Sequence, residues 1–382
     1  MSLLEYAIDL TRDLVRFDTT NPPGNEGRCA EFLAELLERE GFSVTLHELE
    51  PDRASLVAYL GNGRGRPLCF TGHLDTVPLG KATWSVDPFA GEIRDGKLYG
   101  RGSSDMKAGV AAFITAALEE RESIVNSSGV VLVLTASEET GCQGAMALVR
   151  DGVDQHNAGA IIVGEMTANY PLIGHKGALW LKLTAYGKSA HGSMPEKGDN
   201  ALYKAGRALQ RIQGYQVPAP RHAILGAATI SAGTLHAGSS INVVPDHAEL
   251  CVDIRTLPGM SHPATAAALV AELSPDIAEA TPVLDLPGVF TDIDAPWVAT
   301  VYRIVEEETG IRPEPRGASY FTDACALQHA HPGVPMVILG PGTPEMAHQA
   351  DEYCEVPRIE EAVRLYRRLI TDWCAEDGRH PD

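Results

Sequence analysis

Residues 130–139 read VVLVLTASEE: five apolar residues in a row, three small or hydroxyl residues, then two adjacent carboxylates. A short apolar run without alternation fits a strand covered on both faces, as in a parallel sheet. The neighbouring stretches repeat the theme. GCQGAMALVRDG (141–152) has helical spacing and ends in glycine, and AGAIIVGE (158–165) is a second buried run that again leads into a glutamate. Upstream, PLCFTGHLD (67–75) is a third run ending in His73 and Asp75, and KAGVAAFITAALEE (107–120) reads as a helix. Strands alternating with helices predict an α/β domain with a mostly parallel central sheet flanked by helices.

Further out, Leu3, Leu4, Ala7, Ile8, Leu10, Leu14 and Val15 keep a helical period. Cys29 to Leu37 does the same, with Gly41 placed as a stop. From about His175 the style changes. ALWLKLTAYG (178–187) alternates apolar and polar residues, residues 200–213 look helical, and ATISAGTLHAG (228–238) and AELCVDIRTLP (248–258) look like strands before a helix over 263–273. Antiparallel strands with one covered face fit this block. After about residue 290 helix and strand alternate again, in APWVATVYRIVEEETG (295–310), VPMVILG (334–340) and a last helix over 358–374. The expected organisation is an α/β domain from 1–175 and 289–382 interrupted by a smaller α+β domain over 176–288.

The chain has 382 residues and a formal charge of −20, which disfavours a nucleic-acid partner. No apolar stretch reaches the length of a membrane span, and acidic residues break the N-terminal MSLLEYAIDLTRDLVRF, so neither a membrane partner nor a signal peptide is expected. Seven scattered cysteines without a C-x-x-C predict reduced thiols and a cytoplasmic location.

Residues that bind metals recur just past the apolar runs: His73 and Asp75, Glu138 and Glu139, Glu165, and His348 shortly after VILG. In open α/β sheets ligands bind outside the carboxyl ends of the strands, so these positions can converge. Each alone has a plainer reading. Asp105 could be a helix-capping acid, the Glu138–Glu139 pair a solvated loop, and His348 a loop histidine. Together, two histidines and several carboxylates suit zinc or, with more oxygen ligands, manganese or cobalt.

The segments FTGHLDTVP, YGRGSSDMKAG, TASEETGCQGA, IVGEMT, KSAHGSMPEKGDNA, INVVPDHAELCVDIR and HQADEYCEV resemble, in order and spacing, the M20 metallopeptidase family of deacetylases, desuccinylases, aminoacylases, carboxypeptidases and dipeptidases. The resemblance implies two divalent ions. His73 and Glu165 would hold one, Glu139 and His348 the other, and Asp105 would bridge them. It also implies Glu138 as general base, Asp75 as the partner of His73, and a lid domain over 176–288 that builds a homodimer. His191 would reach a neighbouring active site, and Asn242 and Arg255 would bind a substrate carboxylate.

The expected activity is hydrolysis of the amide bond of an N-acyl amino acid, with zinc ahead of cobalt or manganese. A dipeptidase or carboxypeptidase of the same family is the main rival, and a catalytically silent metal- or ligand-binding relative the remote one. Three departures from the family pattern stand out. Met166 replaces a frequent proline, and Ala350 a frequent proline or valine. GASYFTDA (317–324) differs from the family's usual GTSDG-like form, which bears on substrate choice.

Overall fold

Val130–Thr135, Leu68–His73 and Ala160–Val163 are strands buried along their whole length, and Met336–Ile338 is a fourth. They form the parallel part of a six-stranded sheet in the order Val130–Thr135, Leu68–His73, Ala160–Val163, Met336–Ile338. Two antiparallel strands, Arg53–Leu60 and then Ser43–Glu50, complete the sheet beyond Val130–Thr135. The outermost strand is exposed and alternating, as an edge strand should be. His73 stands opposite Thr135, and Thr71 and Ile338 opposite Val163, so the parallel strands all end at one edge.

The computed structural model describes residues 3–375. Helix Ala108–Glu119 is apolar on nearly every face and buried through Ala117, as expected of a helix covered on all sides. It packs between helices Leu3–Arg16 and Val356–Ala375, and Phe70, Phe113 and Tyr366 interlock with ring centroids 5.4 to 6.3 Å apart. At its start, a Cβ on Gly109 would lie 2.1 Å from the Gly164 carbonyl. Glycine there lets the helix meet the strand end that carries Glu165.

The helix expected over 107–120 begins one residue later. Before it, Ser103–Lys107 form a single wide turn in which Asp105 (φ −118°, ψ 89°) and Met106 (φ −135°, ψ 29°) leave helical geometry. Asp105 is therefore not a capping acid. Its carboxylate is free to point elsewhere.

The chain divides into two compact units: Met1–Gly174 with Phe290–Arg316 and Thr322–Asp382, and His175–Val289 with Gly317–Phe321. The second unit also takes in Gly317–Phe321, outside the 176–288 expected for the inserted domain; within it the Lys176 amide bonds the Ala318 carbonyl at 3.1 Å. Its sheet is antiparallel in the order Thr229–Ala237, His247–Thr256, Gly177–Tyr186, Glu279–Leu286. Helices Ala201–Gly214 and His262–Leu273 supply apolar residues to the core on one face of that sheet. Asn200 and Ser261 cap them, accepting backbone N–H bonds from Leu202, Tyr203 and Ala264. Among the described residues no helix is long and apolar enough to cross a membrane, and all seven cysteines are free thiols.

Candidate metal centre

His73 closes its strand with the ring buried. Its Nδ1 lies 2.9 Å from the backbone carbonyl of Asp75. A carbonyl only accepts, so Nδ1 carries the hydrogen and Nε2 presents a lone pair or a second proton. That Nε2 faces Asp105 Oδ1 at 3.1 Å and Glu165 Oε1 at 3.7 Å. The Asp75 carboxylate is 3.5 Å from the ring. Its closer bonds go elsewhere: it accepts the amides of Glu138 (2.9 Å) and Glu139 (3.2 Å) in the loop after Thr135, and the side-chain N–H of Asn21 (2.9 Å). Asp75 thus orients His73 through its main chain and the two glutamates through its side chain.

Asp105 reaches two histidines at once. While Oδ1 faces His73, Oδ2 lies 3.3 Å from His348 Nε2, and that nitrogen is also 3.1 Å from Glu139 Oε2. His348 is half-exposed and holds a left-handed backbone (φ 63°). Ligand-type atoms of His73, Asp105 and Glu139 lie within 4.8 Å of one another, and so do those of His73, Glu138 and Glu165. Glu138 is buried, with the Cys142 thiol 3.8 Å from Oε1.

The charges do not balance. Asp75, Asp105, Glu138, Glu139, Glu165 and Asp323 gather around His73 and His348. Burial, with the charges of neighbouring acids, pushes Glu138 and Glu165 well above the usual carboxyl range, against the pull of His73. Burial and Asp105 push Glu139 up to about 7, and burial raises Asp323 to about 6 despite a hydrogen bond from Thr135. Hydrogen bonds to Asp105 and Glu139 lift His348 to about 10. For His73, bonds to Asp105 and Asp75 and the charges of Glu165 and Glu138 overcome the opposing effect of burial and raise it well above the imidazole norm. Such shifts mark carboxylates and imidazoles competing for protons where cations would serve better. Glu139 Oε1 and Glu165 Oε2 are buried with no hydrogen-bond partner. Nitrogen and carboxylate donors in this arrangement fit divalent ions of the zinc, cobalt or manganese kind.

The other expected residues lie in the second unit. His191 sits on an exposed loop that bridges to Val243, its Nδ1 2.7 Å from Ser193 Oγ. The Asn242 side-chain oxygen accepts from Ser240 at 2.6 Å. Arg255 pairs with Asp253 at 3.0 Å and lies 5.9 Å from the centre of the Phe321 ring, within GASYFTDA. Sequence reasoning assigned no role to Asn21, which bonds Asp75, to Asp323, or to Glu352, which bonds the Asp105 amide and pairs with Arg101. Glu352 stands four residues after His348 in HQADE, a second acid beside a candidate ligand.

Comparison with known proteins agrees with this architecture. The model of peptidase family M20/M25/M40 matches residues 69–372. A succinyl-diaminopimelate desuccinylase of Cereibacter sphaeroides is 31% identical over 96% of this chain and 99% of its own. An acetylornithine deacetylase of Vibrio campbellii is 30% identical over 93% and 94%. The fold is shared with an M20-family metallo-carboxypeptidase from Sulfolobus solfataricus (TM-score 0.80, 17% identity, 98% of this chain and all of that one). It is also shared with a dinuclear metal-binding M20 peptidase of Bacillus subtilis (TM-score 0.72, 17% identity, 97% and 98%). The chain belongs to peptidase family M20/M25/M40, hydrolases of amide and peptide bonds.

Proposed function

We propose that this chain is a two-metal amidohydrolase that cleaves the amide bond of an N-acyl amino acid, in the manner of a deacetylase or desuccinylase. The observation that carries the reading is Asp105, whose two oxygens each face the Nε2 of a different histidine, with Glu165 beside one and Glu139 beside the other. His73, Glu165 and Asp105 would hold one ion, and Glu139, His348 and Asp105 the other, with zinc preferred over cobalt or manganese. Bound there, the ions supply the Lewis acidity that polarises a scissile carbonyl and lowers the pKa of water towards neutrality.

Glu138 is the general base. It takes the proton of the attacking water and delivers it to the leaving nitrogen. Asp75 keeps the His73 ring and the Glu138–Glu139 loop in place. His191 is assigned as hydrogen-bond donor to the developing oxyanion. Asn242 and Arg255 are assigned to the free carboxylate of the substrate, for which the guanidinium fork is suited. A homodimer built through residues 176–288 and a cytoplasmic location complete the reading. The desuccinylase and deacetylase relatives support an acyl group over a second amino acid.

The test is a panel of N-acetyl and N-succinyl amino acids and dipeptides, run on metal-free protein and on protein reloaded with Zn²⁺, Co²⁺ or Mn²⁺. Metal-dependent release of the acyl group is expected. Turnover of dipeptides alone would make the chain a dipeptidase. No turnover at full metal loading would make it a non-catalytic relative. Light scattering checks the dimer.

A further inference from the structure

Glu352 is fully buried and lies four residues beyond His348. Its carboxylate accepts four hydrogen bonds. Oε1 takes the amides of Ser104 (2.8 Å) and Asp105 (3.0 Å), and Oε2 takes the amide of Gly102 (3.0 Å) and the Arg101 guanidinium (2.6 Å). Its carbonyl accepts the Gly100 amide at 2.9 Å. Arg101, itself 1% exposed, also donates to the carbonyls of Gln349 (3.2 Å) and Pro78 (3.3 Å). Ser104 adds a parallel tie: its hydroxyl donates to the Tyr353 carbonyl (2.6 Å) and accepts the Thr343 amide (2.9 Å). The turn needs this support. Gly102 is left-handed (φ 84°) and Asp105 and Met106 are non-helical, so the amides of Gly102, Ser104 and Asp105 take the Glu352 carboxylate as their acceptor.

We propose that Glu352 is a positioning residue: neutralised by Arg101, it locks the turn carrying Asp105 to the loop carrying His348 and so sets the affinity of the His348 side of the metal centre. The inference rests on the two-metal reading above. A carboxylate is required. Both oxygens must accept, and a glutamine would aim its NH₂ at backbone amides or at Arg101. The loss falls on the ion shared by Asp105, Glu139 and His348, because that pocket is assembled from the two segments that Glu352 joins. The pocket of His73 and Glu165 shares Asp105 but takes its other two ligands from strand ends, so it depends on that link less.

The experiment is calorimetric titration of metal-free protein with Zn²⁺, paired with the absorption spectrum on stepwise addition of Co²⁺, for wild type, Glu352→Gln and Ser104→Ala. Wild type is expected to bind two ions. If it binds fewer, the two-metal reading fails whatever Glu352 does. With two ions in wild type, Glu352→Gln is expected to weaken the second ion 10–100-fold, the usual effect of losing a residue that supports a ligand, and the first, which shares only Asp105 with that loop, several-fold less. The Co²⁺ spectrum should change most on the second equivalent. Ser104→Ala removes one tie without stranding a charge and should weaken the second ion about fivefold. It decides the matter if Glu352→Gln does not fold. Wild-type affinity for both ions in a folded Glu352→Gln, or in Ser104→Ala where Glu352→Gln fails, overturns the proposal, as does equal weakening of both ions.

Discussion

Glu138→Gln is the substitution that bears most directly on the proposed chemistry. The carboxyl group is buried, touches the Cys142 thiol, and belongs to a set with His73 and Glu165 whose ligand-type atoms lie within 4.8 Å. Geometry alone therefore allows two roles, proton carrier or metal ligand. Glutamine keeps the size and one carbonyl oxygen, and the Glu138 main-chain bond to Asp75 is untouched. As general base, Glu138 contributes about 10² to 10⁴ in turnover, or roughly 2.7–5.5 kcal/mol of barrier. The variant should lose that factor in kcat while retaining wild-type Zn²⁺ content after exhaustive dialysis. Glu139→Gln supplies the contrast, since its carboxylate pairs with His348 at 3.1 Å; it should lose metal as well as rate. The assays are metal analysis of the dialysed protein and steady-state kinetics on the best substrate of the panel. Near-normal kcat in Glu138→Gln, or loss of one equivalent of metal from it, would refute the assignment of base.

Three further outcomes follow from the structure. Arg53 and Glu26 form a buried two-pronged ion pair (2.7 and 3.0 Å), and Glu26 also accepts the Ser137 amide next to Glu138. Arg53→Met strands the carboxylate and should cost about 3–5 kcal/mol in urea unfolding, with most of it recovered in Arg53→Met/Glu26→Leu; a loss under 1 kcal/mol would contradict this. His175 is fully buried, and burial lowers it to about 4. The folded chain therefore resists its protonation, so stability is lost as pH falls from about 6.5 towards 4, by about 2 kcal/mol at pH 5. His175→Leu should flatten that part of the stability–pH curve, and an unchanged curve would count against it. Arg255→Ala should raise KM most for substrates with a free carboxylate; an equal rise for amidated analogues would remove the proposed clamp.

Much of the first unit was legible because its parallel strands are short apolar runs without alternation, as strands covered on both faces are. The acids and histidines follow those runs directly, so a shared sheet edge was predictable from topology, and the matched segments supplied the pairing of roles. Other features left no periodic trace. Strand Glu279–Leu286 contains Pro282 and was not anticipated, because proline is tolerated there only at a sheet edge. Gly317–Phe321 joins the second unit through backbone bonds that no side-chain pattern encodes.

The amino-acid sequence by itself determined which side chains stand at the strand ends, and with them the two histidines and the carboxylates of the candidate centre. Tertiary structure alone decided where Asp105 points. Its turn is held by Glu352, some 250 residues away in the chain, through three backbone amides. It likewise assigned the Asp75 carboxylate to the Glu138–Glu139 loop while its carbonyl took His73. The reason is physical: burial and strand formation follow local apolar patterning, whereas the partner of a buried backbone amide is whatever acceptor the fold brings to it.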